Sequence, residues 1–178
     1  MDEQILDIHL KSIEAATTSR DLRRVMVHTL QFLGFEMWLY ASENPYSPMA
    51  MPATLASGQT ARWLIKYMVK GYQEIDPIIT HCRNEKEPFF WDSKAGWGDA
   101  DPKVQKFMED VSRYGFGSGL ALPLKQQGGP DGLLSLTSSQ HLDKEYLRYQ
   151  ELLPCLTKIG VTAHGVMHQI LKKSKTNH

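Results

Sequence analysis

Four sets of side chains stand at spacings that could do chemistry: paired histidines, an adjacent histidine and cysteine, a serine in an apolar run, and ring-bearing donors followed by an acid. His164 and His168 lie one helical turn apart and could share a metal, but no acid or cysteine follows at a ligand spacing, so no metal site is expected. His81 and Cys82 are adjacent. On an extended segment they would point to opposite sides, which makes Cys82 a wall or core residue rather than half of a nucleophile pair. Ser135 sits in Gly-Leu-Leu-Ser-Leu and not in the Gly-x-Ser-x-Gly turn that exposes a nucleophile, so neither a catalytic residue nor an enzyme is expected. What remains is Trp63 and Tyr67, donors on adjacent turns of one helix, then Asp76 before Pro77, Trp91, and Ser135 with Leu134 and Leu136 facing away from it. Large rings at helical spacing also suit a plain core, and Asp-Pro is also a common turn or cap device.

Apolar periodicity gives the elements that must position these groups. Helices are expected over residues 4 to 16 and from Ser19, as N-cap, to a stop at Gly34. The period then changes to two, with Phe35, Met37, Leu39 and Ala41 on one face and Glu36, Trp38 and Tyr40 on the other. A loop through SENPYSPMAMP leads to a strand ending near Leu55. A helix from Thr60 to Tyr72 follows, its core stripe read as Ala61, Leu64, Ile65, Met68 and Val69, and Asp76-Pro77 breaks the pattern. A short strand covers Pro88 to Trp91, and Asp101-Pro102 opens a helix that ends at Gly115. Strands Ser118 to Leu124 and Gly132 to Thr137 form a hairpin, and a helix from Asp143 to Leu171 should kink or break at Pro154. The order lacks the alternation of a parallel sheet. An α/β fold is expected, an α-β-α sandwich with a central antiparallel sheet of about five strands and helices on both faces.

The whole chain narrows the function classes. Its 178 residues suit one domain, expected over 1–172, with 173–178 a tail or the start of a linker. Lys plus Arg and Asp plus Glu are 20 each, so nothing draws the segment to a polyanion, and direct DNA binding is not expected of it. Two separated cysteines, no basic-then-apolar leader and no membrane-length run point to a cytoplasmic protein without membrane association.

In order along the chain, Trp63, Tyr67, Tyr72, Asp76-Pro77, Pro88 and Trp91, then Tyr114-Gly-Phe-Gly-Ser-Gly119, Pro123 and Gly132-Leu-Leu-Ser135-Leu, resemble the autoinducer-binding domain of LuxR-type quorum-sensing regulators. The series runs from Trp63 to Leu136. The resemblance implies one N-acyl-homoserine lactone in an enclosed pocket, no cofactor, a homodimer, and contact with DNA only through a helix-turn-helix domain that this chain lacks. Such a ligand has two carbonyls, an amide N–H and an aliphatic tail, so its pocket needs donors, one acceptor and apolar walls. By resemblance Trp63 meets the lactone carbonyl, Asp76 the amide N–H, and Tyr67 with Ser135 the acyl carbonyl, while Trp91 closes over the ring. Leu39, Ala41, Leu55, Leu64, Ile78, Phe107, Val111, Phe116 and Leu133 are then expected to line the ring and tail. The chain departs from relatives in having Gln59 where a Tyr is frequent, Leu64 where some have Arg, and Ile78 rather than a hydroxyl residue, which implies an unsubstituted or unusual acyl group. A stand-alone sensor of the same fold for another small molecule is the alternative.

Overall fold

The computed structural model describes residues 2–45, 52–125 and 129–176; parts of the proline-rich loop, of the expected hairpin turn and of the expected tail lie outside the described residues. Helix α1 (Glu3–Glu14) is capped by Asp2, whose side chain accepts from the Gln4 amide at 2.8 Å. Helix α2 (Ser19–Phe32) is capped by Thr18 rather than Ser19: the Thr18 hydroxyl accepts from the Asp21 amide and donates to its carboxylate. The chain turns at Gly34, with φ of +79°, under the Arg148 guanidinium, which donates to the Leu33 and Gly34 carbonyls. The positive φ favours glycine, and a Cβ there would also come within 2.7 Å of the guanidinium and push the Arg148 side chain aside.

Strand β1 (Met37–Ser42) begins two residues after Phe35. Alternation holds only inside a strand. Phe35 therefore does not share the face of Met37, Leu39 and Ala41; it stacks on Tyr149 with Trp38 and Tyr40 in the opposite layer. Strand β2 (Ala53–Ala56) leads into helix α3 (Gly58–Val69) and a 3-10 turn, Tyr72–Glu74. Asp76-Pro77 does more than end a pattern. It opens a further helix, α4 (Pro77–Asn84), with Asp76 as N-cap and Pro77 in the first turn, so His81 and Cys82 are helical and not extended.

Strand β3 (Phe89–Asp92), helix α5 (Pro102–Arg113), strands β4 (Ser118–Leu124) and β5 (Gly132–Ser138) and helix α6 (Leu142–Thr176) complete the chain. Helix α6 runs unbroken through Pro154 and into the residues expected to be a tail. The five strands form one antiparallel sheet in the order β2-β1-β5-β4-β3. An α-β-α sandwich results. One face of the sheet carries α1, α2 and α6 around Leu22, Leu30, Trp38, Leu120, Leu134 and Leu156; the other carries α3, α4 and α5 around Trp63, Trp91, Phe107 and Phe116. The first layer is pinned across long sequence separations. Asp92 accepts from the Leu142 amide at 2.8 Å and so caps α6 from β3. Burial disfavours its charge, but the Leu142 and Lys94 amides and His141 outweigh that and hold its carboxyl below the usual range.

The stripe expected to bury α3 is the one it exposes. Ile65, Met68 and Val69 are 67, 62 and 81% exposed, whereas Thr60 and Trp63 are buried and Leu64, Lys66 and Tyr67 half-buried. Both stripes satisfy the helical repeat. Burying the rings removes more apolar area and gives the Tyr67 hydroxyl a partner.

Candidate functional site

Cross-strand pairing sets the wall. Leu39, Ser135, Ala121 and Phe89 lie opposite one another on β1, β5, β4 and β3, and Ala41, Leu133 and Pro123 form the next row. Directly paired residues share a face, so Ser135 is the hydroxyl in an otherwise apolar row, while Leu134 and Leu136 are buried in the α6 layer. In the row on the other side, Trp91 pairs with Gly119. Its indole lies flat on β4, where a Cβ at position 119 would overlap the ring, so a side chain there would displace Trp91.

Opposite this wall α3 presents Trp63 to a nest of rings. Their centroids lie 5.0 Å (Tyr114), 5.7 Å (Phe116), 6.0 Å (Tyr72) and 6.5 Å (Phe107 and Tyr67) from it. Tyr67, one turn on, donates to Asp76 Oδ2 at 2.9 Å, while Asp76 Oδ1 accepts from the Ile78 amide at 2.8 Å and the Ile79 amide at 3.4 Å. One carboxylate thus caps α4 and holds a phenol of α3. Burial pushes Asp76 up to about 6, against the pull of those amides and of Tyr67. Burial, and then the Asp76 charge beside it, raises the Tyr67 phenol far above its ordinary value, which keeps it a donor. Cys82, also in this cluster, is pushed up to about 12 by burial and then by Asp76, so its thiol stays protonated. The arrangement offers donors and one acceptor in an apolar shell. Among the described residues no group of three metal-binding side chains occurs.

Residues 18–165 match the family described as the autoinducer binding domain. The chain belongs to that family. Its relatives include the transcriptional activator AnoR of Acinetobacter nosocomialis, 27% identical over 120 residues, which are 67% of this chain and 49% of that protein. TraR of Rhizobium radiobacter, another transcriptional activator, is 23% identical over 95 residues, or 52% of this chain and 41% of TraR. The chain spans about half the length of the curated relatives it matches. Similar folds are found in the N-acylhomoserine lactone dependent LuxR family factor CepR2 of Burkholderia cenocepacia (TM-score 0.76, 20% identity, 95% of this chain and 96% of that one) and in Escherichia coli SdiA (TM-score 0.67, 14% identity, 94% and 68%).

Most of the side chains expected in the site of this autoinducer-binding domain meet in one layer. Trp63, Trp91, Ile78, Phe107, Val111, Phe116 and Leu133 are buried together, with Tyr67 and Ala41 packed against them. Leu39 and Ser135 enter through the sheet register, and Leu64 is half-buried on α3. Leu55 does not belong. It pairs with Tyr40 and lies in the α6 layer, because the residues of β2 on the site's side of the sheet are its neighbours in the alternation. Gln59 is exposed, so its polarity is turned to solvent, and Thr60 is the inward residue, bonded to Ser57.

The autoinducer-binding domain also holds groups that periodicity passed over. Tyr72 is buried and donates to Asp110, which pairs with Lys66 at 3.2 Å; Lys66 in turn lies 5.5 Å from the Trp63 ring centroid. The set ties α3 to α5 across the 3-10 turn. Helical spacing of Lys66 relative to Trp63 was available, but its pairing with Asp110 is a tertiary contact. A cleft of about 670 Å³ opens between α4, β3 and the start of α5, lined by Ile75, Phe89 and Val104 below and Glu74, Asn84 and Lys103 around the rim. It includes none of the expected site residues.

Proposed function

We propose that this chain is the sensing portion of a LuxR-type transcription regulator and closes around one N-acyl-homoserine lactone. The observation that carries the proposal is the Trp63, Tyr67 and Asp76 constellation facing Ser135 across an aromatic cluster, in a member of the autoinducer-binding family. Trp63 donates to the lactone carbonyl, Asp76 accepts the amide N–H, Ser135 and Tyr67 donate to the acyl carbonyl, Tyr67 giving up its bond to Asp76 as the ligand N–H replaces it, and Trp91 covers the ring. Ile78 and Leu64 favour an unsubstituted third acyl carbon. The tail lies against Leu39, Ala41, Val111 and Leu133. Enclosure requires the packed rings to part. The ligand's free energy of burial then stabilises this layer, and the chain acts by binding in the cytoplasm, without catalysis or cofactor. A homodimer and a helix-turn-helix domain outside this chain would carry the signal to DNA.

Native mass spectrometry of the 178-residue chain, expressed with N-acyl-homoserine lactones of graded length, tests this. One intact lactone per chain and a higher unfolding temperature are expected; recovery of opened lactone, or no bound mass with any length, would overturn it. The E. coli SdiA fold relative has been solved in complex with octanoyl-rac-glycerol, which motivates a second reading as a sensor of acylglycerols. The same experiment with that compound decides it: retention in preference to every lactone would replace the first proposal with the second.

A further inference from the structure

Beyond the four residues given hydrogen bonds to the ligand above, Trp91 on β3 and Ser93 just after it carry two buried polar atoms with no hydrogen-bond partner among the described residues, on the site's side of the sheet. Trp91 and Ser93 are each 4% exposed, and neither Trp91 Nε1 nor Ser93 Oγ is partnered. Ser93 extends the ladder by one residue, its amide donating to the Gly117 carbonyl at 2.8 Å. Asp92, between them, points into the α6 layer, where it caps α6. Ser93 lies one residue past β3, but its amide turns to β4 as that of the next strand residue would, which puts its side chain on the face of Trp91, about 7 Å further along the chain. Two other buried atoms of this kind, Ser118 Oγ and Tyr149 Oη, belong to the α6 layer and lie beside one another. Trp91 and Ser93 have no such companion there.

The indole cannot turn its N–H away freely, because the ring is seated on the bare backbone of Gly119. Trp97, whose Nε1 donates to the Asp92 carbonyl at 2.6 Å, packs against the same cluster and closes the end of the strand. A donor buried without a partner costs stability, and a chain gains nothing from two on one face unless something is received there. Trp91 is donor only, and the Ser93 hydroxyl rotates to donate. The chemical group that suits two donors and no acceptor is an ester, with two acceptor oxygens on one carbon.

Resting on the acyl-lactone reading above, we infer that Trp91 Nε1 and Ser93 Oγ form a second polar subsite, on the sheet side of the head group, that receives the ester oxygens of the lactone ring. Ser93 is then a specificity-determining residue. It separates a lactone from a carbocycle of the same size.

The test compares the 178-residue chain with Ser93→Ala and Trp91→Phe, using N-octanoyl-homoserine lactone and its cyclopentyl amide analogue, which keeps the ring size and lacks both ring oxygens. Calorimetric titration of Ser93→Ala should show about tenfold weaker binding of the lactone and unchanged binding of the cyclopentyl amide. With no compound added, Ser93→Ala should unfold at a higher temperature than the parent, since an unpartnered hydroxyl is gone. Trp91→Phe should also narrow the lactone preference. If the parent preference for lactone over amide survives in Ser93→Ala, the subsite is overturned and the acyl-lactone reading stands. If the parent chain binds neither compound while binding octanoyl-rac-glycerol, both fall together.

Discussion

At the scale of single residues, Asp76 carries the most conflicting demands. It caps α4, holds Tyr67 and is buried, and burial pushes its carboxyl up to about 6. Its folded pKa lies above the ordinary carboxylate value, so between about pH 4 and 6 the folded chain binds more protons than the unfolded one. The contribution is therefore fully present below about pH 4 and is lost as pH rises through about 6. Asp76→Asn keeps a good N-cap and removes the buried charge. Urea unfolding at pH about 7 should find it as stable as the parent or more so, by on the order of 2 kcal/mol, and the difference should shrink toward pH about 4. Binding of N-octanoyl-homoserine lactone should meanwhile fall about tenfold or more, because an amide NH₂ opposes the ligand's N–H where Oδ2 accepted it. A destabilised variant with unchanged affinity would mean that Asp76 is a structural cap and not a ligand acceptor.

At the scale of elements, α3 decides which side of the sequence pattern faces the site. Ile65, Met68 and Val69 are exposed, and the ring-bearing face is turned inward. Met68→Lys and Val69→Glu should each change unfolding free energy by less than about 0.5 kcal/mol, whereas Trp63→Ala should cost about 3 kcal/mol or more, both read from urea titrations. The reverse ranking would mean that the aliphatic stripe is the core. The same helix shows what was legible in the sequence. The set Trp63, Tyr67, Asp76, Trp91 and Ser135 came from the family resemblance, spacing alone suiting plain core rings as well, whereas the helix itself and its approximate ends could be read from spacing. Which of two stripes is buried could not, because both fit the helical repeat and the choice is made by tertiary partners such as Phe107, Tyr114 and Asp76. Asp76-Pro77 carried the same start signal as Asp101-Pro102, yet α4 has only eight residues and gives too short a period to show itself. Leu55 was misplaced for a similar reason: a four-residue strand fixes its facing through its partner, Tyr40, and not through its own pattern.

At the scale of the whole molecule, one sheet supports two layers held by different means. The α6 layer is closed by buried aliphatic residues, by Asp92 and Arg148, and by His164, whose Nε2 lies 2.9 Å from the Pro130 carbonyl and whose Nδ1 lies 2.8 Å from Tyr40 Oη. A carbonyl only accepts, so Nε2 carries the proton and Nδ1 accepts from Tyr40. Burial and the neighbouring His168 hold His164 below its ordinary value against the pull of Pro130 and Asp131. Its contribution is thus present above the ordinary histidine range and is lost as pH falls through the lowered folded value, opposite in sign to that of Asp76. The α3–α5 layer carries the buried Asp76 charge, so it has less in reserve and should open first. Hydrogen exchange, corrected for intrinsic rates, should at pH about 7 show α3 and α4 exchanging faster than the middle of α6. Acidification to about 5 should narrow that gap from both sides, by protecting the Asp76 layer and loosening the His164 layer. Adding N-octanoyl-homoserine lactone at pH about 7 should narrow it by protecting α3 and α4 alone. Equal exchange in the two layers, slowed equally by ligand, would mean that the sandwich opens as one unit and that the site's strain is shared by the whole chain.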